Sequence, residues 1–294
     1  MLARVPPVSG EQGGVRMQKV VLITGCSSGI GRALALEFNG KGHRVYATAR
    51  RLETLAALES QGIRGLALDV TDDTSIDAAV ATLRDEAGHL DVLVNNAGLP
   101  QVGAVVDLTR DDMRRHYETN VISPVMVTAK CLPLLRAAVA KNGSATLANV
   151  GSIVGLVATP FAGAYCSSKS ALHALTDALR MELAPFGIDV VSIQPGGVRS
   201  SFGEHSNESI RLPDDSLYRK VEQGLRARAQ AGQAGAVPAE AFAVPVVEKL
   251  LLTPPPRIIR GGTNSVRLPL FKRLLPARVL DAKLSKLFGL DALG

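Results

Sequence analysis

Four residues in the middle of the chain have the types that proton-coupled chemistry needs: Asn120, Ser152, Tyr165 and Lys169. Tyr165 and Lys169 lie in the helical pattern "YCSSKSALHAL". Four residues apart, they share one helix face, which puts the ammonium beside the phenol ring or its hydroxyl. A phenol ionises near pH ~10 and is a poor base at neutrality, but a neighbouring cation favours the phenolate and lowers that value. The pair therefore reads as a proton donor and acceptor, and of the four tyrosines only Tyr165 has a lysine at this spacing. Ser152 follows an apolar run, "ATLANV" at 145–150, and its hydroxyl could hold a carbonyl that Tyr165 protonates. A loop serine bonding its own backbone is the alternative. Asn120, in "YETNVISP", marks either a helix interruption or a solvent contact.

A second constellation lies near the start. "TGCSSGIG" at 24–31 separates the strand formers "VVLI" from the helical "RALALEF". A helix N-terminus presents unpaired N–H groups and a positive dipole end, which favour an anion such as a pyrophosphate. Gly25, Gly29 and Gly31 would let backbone approach it closely, with Ser27, Ser28 and Ile30 completing the turn. Their spacing is not G-x-G-x-x-G, yet strand and helix flank it as required. A structural turn without ligand is the alternative.

The elements that must position these groups are legible as alternating apolar runs and helical stretches. Strands are expected at 19–24, 44–48, 65–68, 91–94, 145–150, 188–193 and 257–260. Runs such as "DVLV" and "IDVVSI" are apolar throughout, as in a parallel sheet covered on both faces. The expected fold is α/β: a Rossmann-type doubly wound parallel sheet of about seven strands, flanked by helices. It divides into a disordered extension at 1–17, a catalytic domain at 18–240 and a C-terminal extension at 241–294 that holds the last strand and a basic segment.

Composition narrows the function. No stretch reads as a secretion signal or a membrane span, so a cytoplasmic location is expected. Three cysteines without paired spacing and five scattered histidines suggest neither disulfides nor a metal site. The net charge of +6 is local: residues 257–286 hold eight Lys/Arg against Asp281 alone, leaving the rest at −1. No nucleic-acid footprint follows. Pro269 and Pro276 break this tail, whose Leu/Phe and Lys/Arg mixture suits a packed lid, a dimer contact or peripheral contact with an anionic membrane.

In order, "TGCSSGIGRALA", "LDV" (Asp69, Val70), "NNAG" (Asn95 to Gly98), "TNV", "GSIVG", "YCSSK" and "PGGVRSSF" resemble the motifs of the short-chain dehydrogenase/reductase family over about 18–203. "GHRVYATARR" and the basic tail are similar to the branch with hydroxysteroid and retinol dehydrogenases and acyl-dihydroxyacetone-phosphate reductases. The resemblance implies an NAD(P)-dependent oxidoreductase acting on CH–OH groups. In it Ser152 orients the substrate, Tyr165 is the acid/base, Lys169 lowers the Tyr165 pKa and binds the nicotinamide ribose, and Asn120 supports a proton relay through Lys169. It also implies that Asp69, Val70, Asn95, Asn96, Ala97, Gly98, Pro195, Gly196 and Val198 adjoin the cofactor.

Ala49 stands where the family's acidic residue would bond a ribose 2′-OH, and Arg50 and Arg51 follow, as a 2′-phosphate requires. NADP(H) is therefore favoured over NAD(H), with Arg50 as the principal contact. Two solvated arginines are the alternative, and Ser28 stands where some NADP-dependent relatives carry a further basic residue. The implied activity is reduction of an apolar or lipid-like ketone or aldehyde. The rival is NAD(P)⁺-linked dehydrogenation of a secondary alcohol such as a steroid or retinoid. Substrate specificity is expected at 200–235, with apolar walls near Leu99, Val102, Ile153, Leu156, Val157, Phe161 and Phe202 that could equally be core. The family's pairing helices fall at about 110–138 and 164–184, so a homodimer or homotetramer is expected.

Overall fold

The computed structural model describes residues 17–200 and 202–293, with Glu204 described by its backbone alone. Apart from Met17, the expected N-terminal extension lies outside the described residues.

Strands and helices alternate along the chain: β1 (Val20–Ile23), α1 (Gly29–Gly40), β2 (Arg44–Ala49), α2 (Ala56–Glu59), β3 (Arg64–Ala67), α3 (Asp73–Ala87) and β4 (Val92–Asn95). The short β5 (Val102–Gly103), α4 (Arg110–Tyr117), α5 (Ser123–Asn142), β6 (Ala145–Val150), α6 (Gly163–Leu183) and β7 (Ile188–Pro195) follow. The last part holds α7 (Phe202–Glu208), β8 (Ile210–Arg211), α8 (Glu222–Gln230), α9 (Ala239–Leu250), β9 (Ile258–Gly261), α10 (Arg267–Leu274) and α11 (Ala277–Leu287).

Seven strands form one parallel sheet in the order β3-β2-β1-β4-β6-β7-β9, while β5 and β8 pair separately at its side. Val21 of β1 lies opposite Val45 of β2 on one side and Val92 of β4 on the other. Successive side chains of a strand point to opposite faces, so the apolar run of β1 feeds two cores. Val21 and Ile23 join Phe38 of α1 and Phe242 and Val246 of α9. Val20 and Leu22 join Leu83 of α3, Leu135 of α5 and Leu183 of α6. This two-sided burial is why the strands read as continuous hydrophobic runs rather than alternating ones.

Two features bear on the sequence reading. Helix α9 packs on α1 across one face, and β9 closes the sheet beside β7, so the core continues past residue 240. Beside the sheet and its covering helices lie the β5–β8 pair and α8, which share a third cluster with Phe288, and the C-terminal α10 and α11. The second is the continuous helical run 110–142, which contains a window with a mean hydropathy of 1.4, long and apolar enough to span a bilayer. Half of that window is buried, and α5 sets Val127, Cys131, Leu134 and Leu135 against the sheet. The run serves as a core helix.

Candidate active site

The sheet order reverses between β1 and β4, and a doubly wound fold opens its crevice at the carboxyl ends of those strands. Thr24, at the end of β1, ties the two loops together. Its Oγ1 accepts from the backbone N–H of Asn96 at 2.9 Å and of Ala97 at 3.0 Å. The Asn96 amide donates in return to the carbonyls of Thr24 (2.8 Å) and Gly25 (2.9 Å).

The glycine turn fits over this clamp. Gly25 (φ 72°) and Gly29 (φ 58°) adopt left-handed backbone that other residues resist. A Cβ on Gly31 would strike the Gly25 carbonyl and the Asn96 amide, so this glycine serves close packing of α1 behind the turn and does not line the cleft. The turn leaves the N-terminus of α1 facing a cavity of about 720 Å³. Gly25, Ser27, Ser28, Gly29 and Ile30 line it, as do Asp69 and Val70 after β3, Asn96 to Gly98 after β4, and Pro195, Gly196 and Val198 after β7. Arg50 stands exposed at its edge, and no carboxylate pairs with it among the described residues. Arg51 lies outside the cavity, its Nε 3.8 Å from Glu53 Oε1. Asn95 is also withdrawn: its amide is spent in the core on the Pro124 carbonyl, Thr128 Oγ1 and Asn149 Oδ1.

The same cavity takes in Ser152, Tyr165 and Lys169. Ser152 begins the loop after β6, while Tyr165 and Lys169 occupy the first turns of α6. The Tyr165 hydroxyl lies beside the Ser152 side chain, whose Oγ accepts from the Val154 N–H at 3.3 Å. Burial pushes the phenol up to about 12, against smaller downward pulls from Ser152 and from the Arg228 charge. The expected lowering by Lys169 is therefore not found. The Lys169 ammonium lies over the ring, 5.9 Å from its centre, and donates to the Val150 carbonyl at 2.7 Å instead of facing the hydroxyl. Burial brings Lys169 itself down to about 8.

Asn120 lies behind the cavity, in a π-helical turn (Glu118–Ile122) between α4 and α5. Its Oδ1 accepts from Leu99 N–H at 2.8 Å, and its amide donates to the Leu99 carbonyl, to His116 Nε2 (2.9 Å) and to Ser168 Oγ (3.2 Å). Such π-bulges inside α-helices are frequent at functional sites. Asn120 Oδ1 and Lys169 Nζ both face the Gly98 Cα, where a side chain would crowd them.

Two histidines escaped the sequence reading. His116 accepts from Asn120, and His173 Nε2 accepts from the Ser152 backbone N–H at 3.3 Å. Both roles require a neutral ring. Burial, with the Lys169 charge next, holds each down at about 4. Each stands four residues from a catalytic candidate on the same helical run, which is the signal that could have found them.

Of the expected apolar walls, Leu99, Ile153 and Phe202 line the cavity, whereas Val102 and Phe161 pack in a side cluster with Leu225 and Phe288. The C-terminal segment supplies walls that were not foreseen: Leu268 of α10, Leu284 and Leu287 of α11, and Phe288. Arg228 of α8 also reaches the cavity.

The family model described as short chain dehydrogenase matches residues 19–211. An uncharacterized oxidoreductase, YbbO, of Escherichia coli (strain K12) is 35% identical over 90% of this chain and 93% of its own. The NADPH-dependent 1-acyldihydroxyacetone phosphate reductase of Schizosaccharomyces pombe is 39% identical over 68% of each chain. A crystal structure of a short-chain dehydrogenase from Streptomyces avermitilis, 30% identical, superposes with a TM-score of 0.76 over 94% of this chain and 98% of the other. With the sheet order, glycine turn and tyrosine-lysine helix already in place, the chain belongs to the short chain dehydrogenase family and is an NAD(P)-dependent oxidoreductase.

Proposed function

We propose that this enzyme uses NADP(H) to reduce an apolar or lipid-like ketone or aldehyde to an alcohol. The observation that carries the reading is one cavity joining the glycine turn and Arg50 at one end to Ser152, Tyr165 and Lys169 at the other. The turn fits a dinucleotide: left-handed glycines bring backbone and the α1 N-terminus to face where a pyrophosphate would lie. Arg50 would pair with the 2′-phosphate, whereas Ala49 offers no carboxylate to a bare ribose hydroxyl. The cofactor, when bound, supplies the hydride that joins the carbonyl carbon.

The chain's own residues supply the rest. Ser152 Oγ holds the carbonyl oxygen beside the Tyr165 hydroxyl, which gives up its proton to that oxygen. Hydride and proton together complete the alcohol, and the tyrosine is reprotonated from the Lys169 side. A phenol held at about 12 keeps its proton at neutral pH and so has one to give. Lys169, at about 8, is still protonated there. Asn120 positions the loop at Leu99 and, with His116, the helix that faces Lys169. The S. pombe relative, named for NADPH and an acyl ketone, agrees with this reading.

Three finer parts belong to the same proposal. Apolar side chains left exposed on the π turn, α5 and α6, namely Ile122, Met126 and Met181, favour assembly as a homodimer or homotetramer. The exposed Leu270, Phe271 and Leu274 beside Lys272 and Arg273 suit peripheral contact with anionic lipid, and the cytoplasm is the compartment that fits. A panel of ketones and aldehydes, followed by NADPH oxidation, tests the activity. Wild-type protein is expected to turn over several, while Tyr165→Phe binds NADPH normally and loses at least a hundredfold in rate. Turnover of secondary alcohols with NAD⁺ in place of carbonyl reduction would give the rival direction, and full activity of Tyr165→Phe would remove Tyr165 from the acid role.

A further inference from the structure

Helix α8 buries Leu225 and Ala229 against Val102, Phe161 and Phe288. That packing turns Arg228 toward the loop after β6, where its Nε donates to Thr159 Oγ1 at 2.8 Å. Thr159 Oγ1 in turn lies 3.9 Å from the sulfur of Cys166, the residue next to Tyr165. The guanidinium thus sits in the cavity wall beside the proton-donating end of the site.

Its surroundings lack a counter-charge. Neighbouring Arg226 pairs with Glu222 at 2.6 Å and Arg219 with Asp214 at 3.2 Å, whereas no carboxylate pairs with Arg228 among the described residues. The sequence offers none at helical spacing, with Gly224 and Gly232 four residues away on either side. Arg115, the other arginine that lines the same cavity near the catalytic groups, is held by Asp112 at 3.0 Å. Burial depresses the Arg228 pKa from its usual value, as expected for a desolvated cation. The part-buried guanidinium has a hydroxyl partner in Thr159 but no carboxylate, and an anion seated against it in the cavity would gain charge-assisted hydrogen bonds.

We infer that Arg228 recognises an acidic group on the substrate, so that the carbonyl compounds reduced here carry a carboxylate or phosphate near the carbonyl and an apolar chain beyond it. The chain would run along Phe202, Leu284, Leu287 and Phe288, which form the apolar side of the cavity. The inference rests on the reductase reading for the word carbonyl; the anion preference itself does not depend on turnover.

The test measures calorimetric binding of octanoate, octyl phosphate and 1-octanol to the full chain, with and without NADP⁺. Wild-type protein should bind at least one of the anions tenfold or more tighter than 1-octanol, and the tighter of the two identifies the acid. Arg228→Met should erase that preference while leaving 1-octanol and NADPH binding in place, and Arg228→Lys should keep part of it. Equal binding of anions and alcohol by the wild type, or a preference that survives Arg228→Met, would overturn the inference. So would a fall in NADPH affinity in Arg228→Met, which would give the arginine to the cofactor, or a loss of all three ligands in both variants, which would give it to packing. Turnover separates this inference from the broader reading. Reduction of a medium-chain keto acid no better than of its methyl ester sinks the anion preference alone, whereas anion binding without reduction of either sinks the reductase alone.

Discussion

At the scale of residues, burial governs the chemistry more than neighbouring charge does. Tyr165 and Lys169 were legible because a four-residue spacing on a helix fixes their common face, and Ser152 because it ends an apolar strand. The sign of the Tyr165 shift was not, since desolvation and the Val150 carbonyl that captures Lys169 come from parts of the chain distant in sequence. With Lys169 at about 8 in the free enzyme, kcat/KM for carbonyl reduction should be flat through neutrality and fall as pH rises past about 8, where the ammonium behind Tyr165 is lost. A pH profile that rises through the same range would contradict this role. His116 and His173 set the acid limit. Their folded values near 4 lie below the ordinary 6.5, so the unfolded chain takes up protons first as pH falls. Their contribution is intact above about 6.5 and drains away toward 4, by on the order of 3 kcal/mol for the buried His116 and by less for the partly buried His173. Urea midpoints measured at pH 7, 6 and 5 should drop in sequence, and His116→Gln should flatten the fall.

At the scale of elements, the seven sheet strands and the glycine turn could be read from runs and punctuation, because strands buried on both faces announce themselves as uninterrupted apolar stretches. The π turn at Glu118–Ile122 could not, since its bonding register leaves no compositional mark, and neither could the packing of α9 on α1 across a proline-rich stretch. Two substitutions probe these elements. Gly31→Ala places a methyl group against the Gly25 carbonyl and the Asn96 amide. It should cost roughly 1–3 kcal/mol by overpacking and weaken NADPH binding together with stability, both read from a urea titration with and without cofactor. Phe288→Ala empties a side chain that is 3% exposed between α8 and the cavity. Its expected cost is about 3 kcal/mol, with a higher KM for long-chain carbonyls than for short ones. An unchanged KM for long chains would remove the C-terminal segment from the substrate wall.

At the scale of the whole molecule, one sheet with its crevice at the strand-order reversal carries the cofactor end of the site, and the segments added after β7 shape the other end. This division explains what sequence could and could not disclose. Motifs report the shared half, whereas the wall residues Arg228, Leu268, Leu284 and Leu287 meet only through tertiary packing. The proposed assembly predicts a solution mass of two or four times the 30.9 kDa chain by sedimentation equilibrium. A lone 30.9 kDa species would leave the exposed Met126 and Met181 without the expected partner. The most direct test of the account is fluorescence titration of wild-type protein and Arg50→Ala with NADPH and NADH. The account predicts a wild-type preference for NADPH that collapses in Arg50→Ala with NADH affinity unchanged; equal affinity for the two cofactors, untouched by the substitution, would contradict it.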